Sequence, residues 1–226
     1  MNKKLLILVC LFCIGLCITA KSQDTMNNVQ KMSYALGANN GEQFKNLGIE
    51  IDTEMFFKGL KDGMGGTREM TDEQMQAAFM LLDQTIKDNQ QKILLEEKKK
   101  GQEYLAQNKL NAGVSETPSG LQYKVIVMGT GAKPTATDKV KVHYHGTLLD
   151  GTVFDSSVQR GEPITFPLNG VIRGWTEGLQ LMPIGSKFIF YIPSDLAYGD
   201  RGTQGIKPGA TLIFEVELLE INPVEE

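Results

Sequence analysis

The hydrophobic period of this chain changes once, and that change divides it into two architectures. Between Gln23 and Asn111, apolar residues recur at spacings of three and four, as in Val29, Met32, Tyr34 to Leu36, Phe44 and Leu47, the signature of helices with one apolar face. From Leu121 onward the period is two. Val140, Val142 and Tyr144 alternate with Lys141, His143 and His145, and Leu212, Phe214, Val216 and Leu218 alternate with Ile213, Glu215, Glu217 and Leu219. Alternation of this kind belongs to half-buried antiparallel strands. Helices in one block and strands in the next make an α+β chain, with a C-terminal antiparallel sheet preceded by an all-α module.

Local signals place the boundaries. Gly48 stops the first helix, and Asp52 is an N-cap for a short second one with Met55, Phe56 and Leu60 on its apolar face. Gly63 and Gly65-Gly66 break the chain into a turn. Thr71-Asp-Glu-Gln74 then has the spacing of a capping box, in which a hydroxyl and a side-chain carbonyl satisfy two orphan backbone N–H groups. A long helix is expected from Asp72 to Ala112, ahead of Gly113. Met75, Phe79, Leu82, Ile86 and Ile93 make its first half a packed seam, whereas Glu96-Glu-Lys-Lys-Lys100 makes its second half a solvated spacer with weak points at Gly101 and Asn108. In the second block, Asp150-Gly151 signals a hairpin turn, Thr176 to Leu181 suits one short helix, and Lys187 to Ile192 reads as a strand. The expected divisions are therefore 1–22, 23–70, 71–113 and 114–226.

Residues 1–22 have the form of a secretory leader. Lys3 and Lys4 precede an apolar run from Leu5 to Ile18, and Ala20-Lys21-Ser22 suits cleavage before Gln23. Nothing later is apolar enough to span a membrane. Cys10, Cys13 and Cys17 all fall in the leader, so the exported chain has neither disulfides nor a thiol nucleophile. Lys3, Lys4 and Lys21 leave with it, so 20 of the 23 basic residues remain against 27 acidic ones. Such a balance excludes the basic stripe that nucleic-acid binding needs.

Five blocks in the strand-rich half carry the functional information: Val142-His-Tyr-His-Gly146, Gly151 to Ser157 (GTVFDSS), Val171-Ile-Arg-Gly-Trp175, Ala197-Tyr-Gly199, and Ala210 to Leu218 (ATLIFEVEL). Their order and spacing resemble the FKBP family of peptidyl-prolyl isomerases. Ser33-Tyr-Ala-Leu-Gly37, Phe56 to Gly63 and the long helix resemble the N-terminal part of its secreted bacterial group, which includes the macrophage infectivity potentiator. The resemblance implies a curved sheet wrapped around one short helix, an isomerase needing no cofactor, and a homodimer formed by the N-terminal helices. It further implies an exported, periplasmic protein, with outer-membrane association compatible, that acts on proline-containing peptides and unfolded proteins and has chaperone activity.

Carried over residue by residue, Trp175 is the pocket floor, with Phe154, Asp155 and Tyr198 as its other catalytic groups. Tyr144, Phe166, Val171, Ile172, Ile206 and Phe214 are the substrate walls, and Arg160 supports Asp155. The Ile172 amide is the expected ligand donor. Thr203, Ile164 and Lys207 stand where the best-known members carry histidine, phenylalanine and an aliphatic residue, so macrolide inhibitors of the family are expected to bind with reduced affinity. No metal site is expected, because His143 and His145 share a strand face without a third ligand. That face is opposite Tyr144, which removes them from hydrolytic chemistry as well. A non-catalytic chaperone or binding module gripping proline-containing segments would use the same pocket and stands as the alternative.

Overall fold

The computed structural model describes residues 26–224, so the leader reading falls outside the described residues. The chain divides after Gln43 into two compact units. The first is occupied by most of α1 (Asn28–Asn46), none of whose residues is buried. The second runs from Phe44 and contains everything that follows.

In that second unit the expected caps are present. Asp52 accepts hydrogen bonds from the amides of Glu54 and Met55, each at 3.0 Å, and starts α2 (Thr53–Gly65), which Gly66 ends in the left-handed conformation at φ 72°. Thr71 and Gln74 form the reciprocal capping box at 3.2 and 2.9 Å and open α3 (Asp72–Asn108). Asn89 of α3 donates to the carbonyl of Gly48 at 2.7 Å and anchors the turn before α2.

Two expectations for α3 are corrected. The helix ends at Asn108 rather than Ala112, because the Asn108 side chain is buried against the sheet domain and the backbone turns with Leu110 N–H to Gln107 C=O at 3.1 Å. Its charged second half is also the docked half. The only buried residues of α3 are Gly101 and Asn108, whereas Phe79 in the supposed seam is 60% exposed. A Cβ on Gly101 would lie 2.2 Å from Thr211 Oγ1, so only glycine lets the helix come this close. Asn108 donates to Gln122 Oε1 at 2.9 Å, and Gln122 donates to Leu105 C=O at 2.9 Å and to Glu116 at 2.7 Å. These amides are buried but paired, which spares the desolvation cost of orphaned ones.

The sheet has seven antiparallel strands: β1 (Val114–Glu116), β2 (Gln122–Val127), β3 (Lys139–Thr147), β4 (Val153–Ser156), β5 (Ile164–Pro167), β6 (Lys187–Ile192) and β7 (Leu212–Ile221). Their order is β1-β2-β6-β7-β3-β4, with β5 also paired to β3. Along β3 burial alternates strictly, placing Val140, Val142 and Tyr144 inward, and on β7 Leu212, Phe214, Val216 and Leu218 do the same. The turn before β4 is closed by Gly151 N–H to Leu148 C=O at 3.0 Å, with Gly151 at φ 85°. After β4 the chain makes one helical turn, α4 (Ser157–Arg160).

Across the concave face lies α5 (Arg173–Leu179), starting three residues earlier than its sequence signal. Gly174 and Gly178 stand one turn apart on the side against β6, where a Cβ would come within 2.5 Å of Ile192 and 2.6 Å of the Phe190 ring. The two glycines let the helix backbone rest directly on the Ile192 and Phe190 side chains of that strand. Packing Leu179, Met182, Phe188, Phe190 and Val216 beneath it makes the core. Gly178→Ala should therefore destabilise the protein, since overpacking costs about 1 to 3 kcal/mol and alanine recovers about 1 kcal/mol of helix propensity. Thermal unfolding followed by Trp175 fluorescence should show a lowered midpoint; an unchanged or raised one would mean Phe190 can move aside.

Candidate active site

Trp175 is the third residue of α5, and Gly174 before it lets the helix sit close against β6. Three rings stand edge-on to the Trp175 indole: Tyr144 of β3 at 5.2 Å between centroids and 82°, Phe214 of β7 at 5.1 Å and 77°, and Phe166 of β5 at 5.7 Å and 90°. Phe154 of β4 stands edge-on to Phe214 at 5.3 Å. T-shaped contacts place a positive ring edge against a negative face and contribute about 0.5 to 1.5 kcal/mol each beyond area burial. Gly146 makes room for this arrangement, since a Cβ there would fall 2.7 Å from Phe154 and 2.8 Å from Phe214.

These rings floor and wall a cavity of about 580 Å³. Val171 and Ile172 close one side, Ile206 and Thr203 the other, and Tyr198 and Asp155 stand at the mouth. All the residues expected in the pocket line it, except Arg160. Arg160 sits behind the rim, where it donates to Asp155 Oδ1 and, at 2.8 Å, to the Tyr144 hydroxyl, with its guanidinium 5.7 Å from the Tyr144 ring centre. The Tyr144 hydroxyl donates in turn to Asp155 Oδ2. Asp155 is thus held from two directions by groups on β3 and α4.

Burial pushes the Asp155 carboxyl up, but the Tyr144 hydroxyl and the Arg160 guanidinium together outweigh it and leave the pKa below the ordinary carboxylate range. Burial raises the Tyr198 phenol above its usual value, and the negative charge of Asp155 raises it further. Burial and then Asp155 do the same for Tyr144 against the opposing pull of Arg160. A charged carboxylate and two protonated phenols are therefore the states present near neutrality. Ile172 is the N-cap of α5: its carbonyl accepts from Trp175 and Thr176 at 2.9 and 3.1 Å, while its own N–H finds no acceptor among the described residues. The Trp175 indole N–H is a buried donor without a partner among the described residues.

The flap over the pocket, Gly199 to Gly209, is a tight loop closed by paired bonds of 2.9 Å between Thr203 and Ile206. Gln204, which sequence reasoning missed, joins the lining from this loop; a polar residue in an irregular segment carries no periodic signal. The unusual residues fall differently. Thr203 faces the pocket, Ile164 packs on the core, and Lys207 turns away to within 3.7 Å of Glu97 on α3. His143 and His145 lie on the opposite face of β3 against Ser157 and Ser156, at 3.2 and 3.0 Å.

A family model described as FKBP-type peptidyl-prolyl cis-trans isomerase matches residues 130–219, and one described as the domain amino-terminal to it matches 29–125. An FKBP-type peptidyl-prolyl cis-trans isomerase FkpA of Aeromonas hydrophila is 54% identical over 203 residues, covering 85% of this chain and 76% of the relative. The chain belongs to the FKBP-type peptidyl-prolyl cis-trans isomerases. The outer membrane protein MIP of Legionella longbeachae is 46% identical over 197 residues, covering 84% of each chain. The crystal structure of FkpA from Escherichia coli superposes with a TM-score of 0.66 at 38% identity, covering 88% of this chain and 99% of that one. Sheet, single crossing helix and N-terminal helices are thus shared with a solved FKBP-type protein.

The protonation states of this FKBP pocket lead to a pH prediction. Because the folded Asp155 pKa is depressed, its charge is complete above about 3.9, the unfolded value, and is lost only as pH falls through the lower folded value. Tyr198 and Tyr144, with raised values, stay protonated to beyond about pH 10. Peptide isomerisation should be flat from pH 6 to about 9 on those grounds. A bell-shaped profile within that window would show that a titrating group outside this set takes part.

Proposed function

We propose that this chain accelerates cis/trans exchange of X-Pro bonds in exported proteins by binding the twisted amide better than the planar one. The observation that carries this reading is an apolar aromatic pocket with the Tyr198 phenol, the Ile172 N–H and the Asp155 carboxylate at its rim and no nucleophilic thiol or imidazole in its lining. Rotation about an X-Pro bond breaks amide resonance across a barrier of about 18 to 20 kcal/mol, and no bond to a nucleophile is needed to lower it. Twisting localises the nitrogen lone pair and leaves the carbonyl oxygen less charged, so a water-poor cavity suits the twisted form better than the planar one.

In this reading the proline ring rests on Trp175, with Phe154, Tyr144, Phe166, Val171, Ile206 and Phe214 excluding water. The Tyr198 hydroxyl and the Ile172 amide hold substrate carbonyls. Asp155 acts as a fixed negative rim group facing the carbonyl carbon, and Arg160 fixes its orientation. Macrolide inhibitors of the family would occupy the same cavity with reduced affinity, since Thr203 and Gln204 put polar atoms where apolar contact is wanted and Lys207 contributes none.

A homodimer would account for a cost that nothing among the described residues repays. Gly37 and Gly41 in α1, and Gly59 and Gly63 in α2, are four residues apart, and a Cβ on any of them would meet nothing within 4 Å. Glycine within a helix costs roughly 0.5 to 1 kcal/mol relative to alanine. Met55, Leu60 and Phe79 stay exposed beside Gly59, around an apolar groove between α2 and the start of α3. Close approach of a second copy's helices accounts for both features. The expected divisions at residues 22, 70 and 113 then separate a leader, a dimerising module, a connecting helix and the isomerase domain. Among the described residues no helix is long and apolar enough to cross a membrane. A periplasmic protein, with contact at the outer membrane compatible, agrees with this and with the leader-like first 22 residues.

Two measurements test the reading. Residues 23–226 should speed the exchange of a proline tetrapeptide well beyond its uncatalysed time of tens to hundreds of seconds. Tyr198→Phe, losing a neutral hydrogen bond, should lower kcat/KM about two- to tenfold, and Asp155→Ala should cost more because it strips Tyr144 and Arg160 of their shared acceptor. A folded protein with only the uncatalysed rate would favour the binding-module alternative. Separately, Gly59→Leu with Gly63→Leu should convert the dimer to a monomer in sedimentation while leaving the peptide rate per site unchanged; a wild-type monomer would refute the dimer.

A further inference from the structure

The loop that presents Tyr198 to the pocket is held from outside the sheet domain. Its two flanking acids, Asp195 and Asp200, both face Lys98 of α3: the Lys98 Nζ lies 2.5 Å from Asp200 Oδ1 and 3.8 Å from Asp195 Oδ1. Between these two acids the chain carries only Leu196, Ala197, Tyr198 and Gly199. Gly199 N–H bonds back to Ser194 C=O at 2.9 Å, and Gly209 N–H to Gly199 C=O at 3.0 Å, so the loop and the flap are one closed unit. From the sheet side, Arg173 of α5 donates to the Asp195 carbonyl.

The stem of Lys98 meets the far end of the same unit. A Cβ on Gly209 would lie 2.9 Å from Leu94 Cδ1 and 3.0 Å from Lys98 Cγ, and Gly209 sits at φ 76°, where L residues are strained. Lys207, one residue before Pro208, faces Glu97. Two turns of α3, from Leu94 to Gly101, therefore touch both ends of the flap and its base at Thr211. The Lys98 side chain is 32% exposed, and the Asp200 carboxylate beside it raises its pKa, so it remains charged at neutral pH.

We propose that Lys98 is a positioning residue of the isomerase site: by bridging Asp195 and Asp200 it fixes the Tyr198 hydroxyl at the rim and sets the height of the flap. This rests on the isomerase reading of the pocket and extends it to the connecting helix. Lys98 touches no pocket atom, so its effect passes entirely through the loop. A pair this exposed contributes little to global stability, and salt screens it. Stability and site geometry are therefore separable at this residue.

The test uses the full mature chain. Lys98→Met keeps the stem on Gly209 and removes the charge. It should lower kcat/KM for proline tetrapeptides about three- to tenfold, chiefly through KM, within the hundredfold that an ångström of misplacement can cost. The thermal midpoint should hardly move. Raising salt to about 1 M, where the Debye length is about 3 Å, should bring the wild type down toward the variant while the variant itself changes less. The charge swap Lys98→Asp with Asp200→Lys should recover most of the loss that Lys98→Asp alone causes. Affinity for a proline peptide, read from the fluorescence of Trp175, should weaken in parallel, and this readout holds even if the wild type bound peptide without catalysing exchange. Equal peptide affinity and equal kcat/KM in wild type and Lys98→Met, at low and high salt, would overturn the proposal.

Discussion

The contact on which the pocket depends is the laying of the bare backbone of α5 onto the Ile192 and Phe190 side chains of β6. Gly174 and Gly178 make it possible, and everything at the site inherits its height from that contact. A methyl group at either position would press on Ile192 or Phe190, and a helix that lifted to relieve the clash would raise Trp175 and open its edge-on contacts to Tyr144, Phe166 and Phe214. The pocket is consequently not carved out of a finished core. It is the part of the aromatic layer that the short helix, seven residues long, leaves uncovered. Thr176 adds a latch, donating to Leu168 C=O at 2.7 Å and holding the helix start to the turn after β5.

Above this rigid layer the energetics change in kind. The floor is apolar and nearly inaccessible, with Trp175 4% exposed, so its positions are fixed by burial and close packing. At the rim, Tyr198 is 41% exposed and the Arg160–Asp155 pair is about as open. Exposed ion pairs of this sort contribute at most about 1 kcal/mol to stability. Their effect is orientation: Asp155 with two donors has few directions left to point. A preformed pocket that reads small differences between planar and twisted amide needs that fixity more than it needs stability.

Much of this was legible in the sequence, and the limits have physical causes. Period-two alternation located β3 and β7 because a half-buried strand repeats its environment every second residue, and the Thr71–Gln74 box located the start of α3 because its bonds are local. The family resemblance of the motif blocks pointed to eleven residues, of which all but Arg160 line the one cavity. The docked end of α3 was hidden for the opposite reason. Glu96 to Lys100 has the composition of a solvated face, yet Glu97 and Lys98 are spent on Lys207 and on the acids beside Tyr198. Gly101 and Asn108 read as helix weaknesses because local propensity is all that a single sequence displays there. Their reasons, Thr211 and Gln122, are 110 and 14 residues away in the chain. Lys207 lies outside the pocket lining because the carboxylate it meets, Glu97, stands on the helix beyond the flap.

The two ends of α3 therefore obey different physics. Its first turns carry apolar residues that remain exposed beside glycines with open space around them, the condition of a surface awaiting helical partners. Its last four turns meet the sheet domain through a glycine contact, paired amides and ion pairs, with Leu94 at Gly209 and Tyr104 beside Tyr191 as the apolar contacts. An interface of that composition resembles those between domains that move relative to one another more than it resembles a core. Strain arriving along a helix of 37 residues, about 55 Å at 1.5 Å per residue, would meet its least resistance there. The loop bearing Tyr198 sits at that junction, so a pull on the helix reaches the rim of the pocket before it reaches the floor.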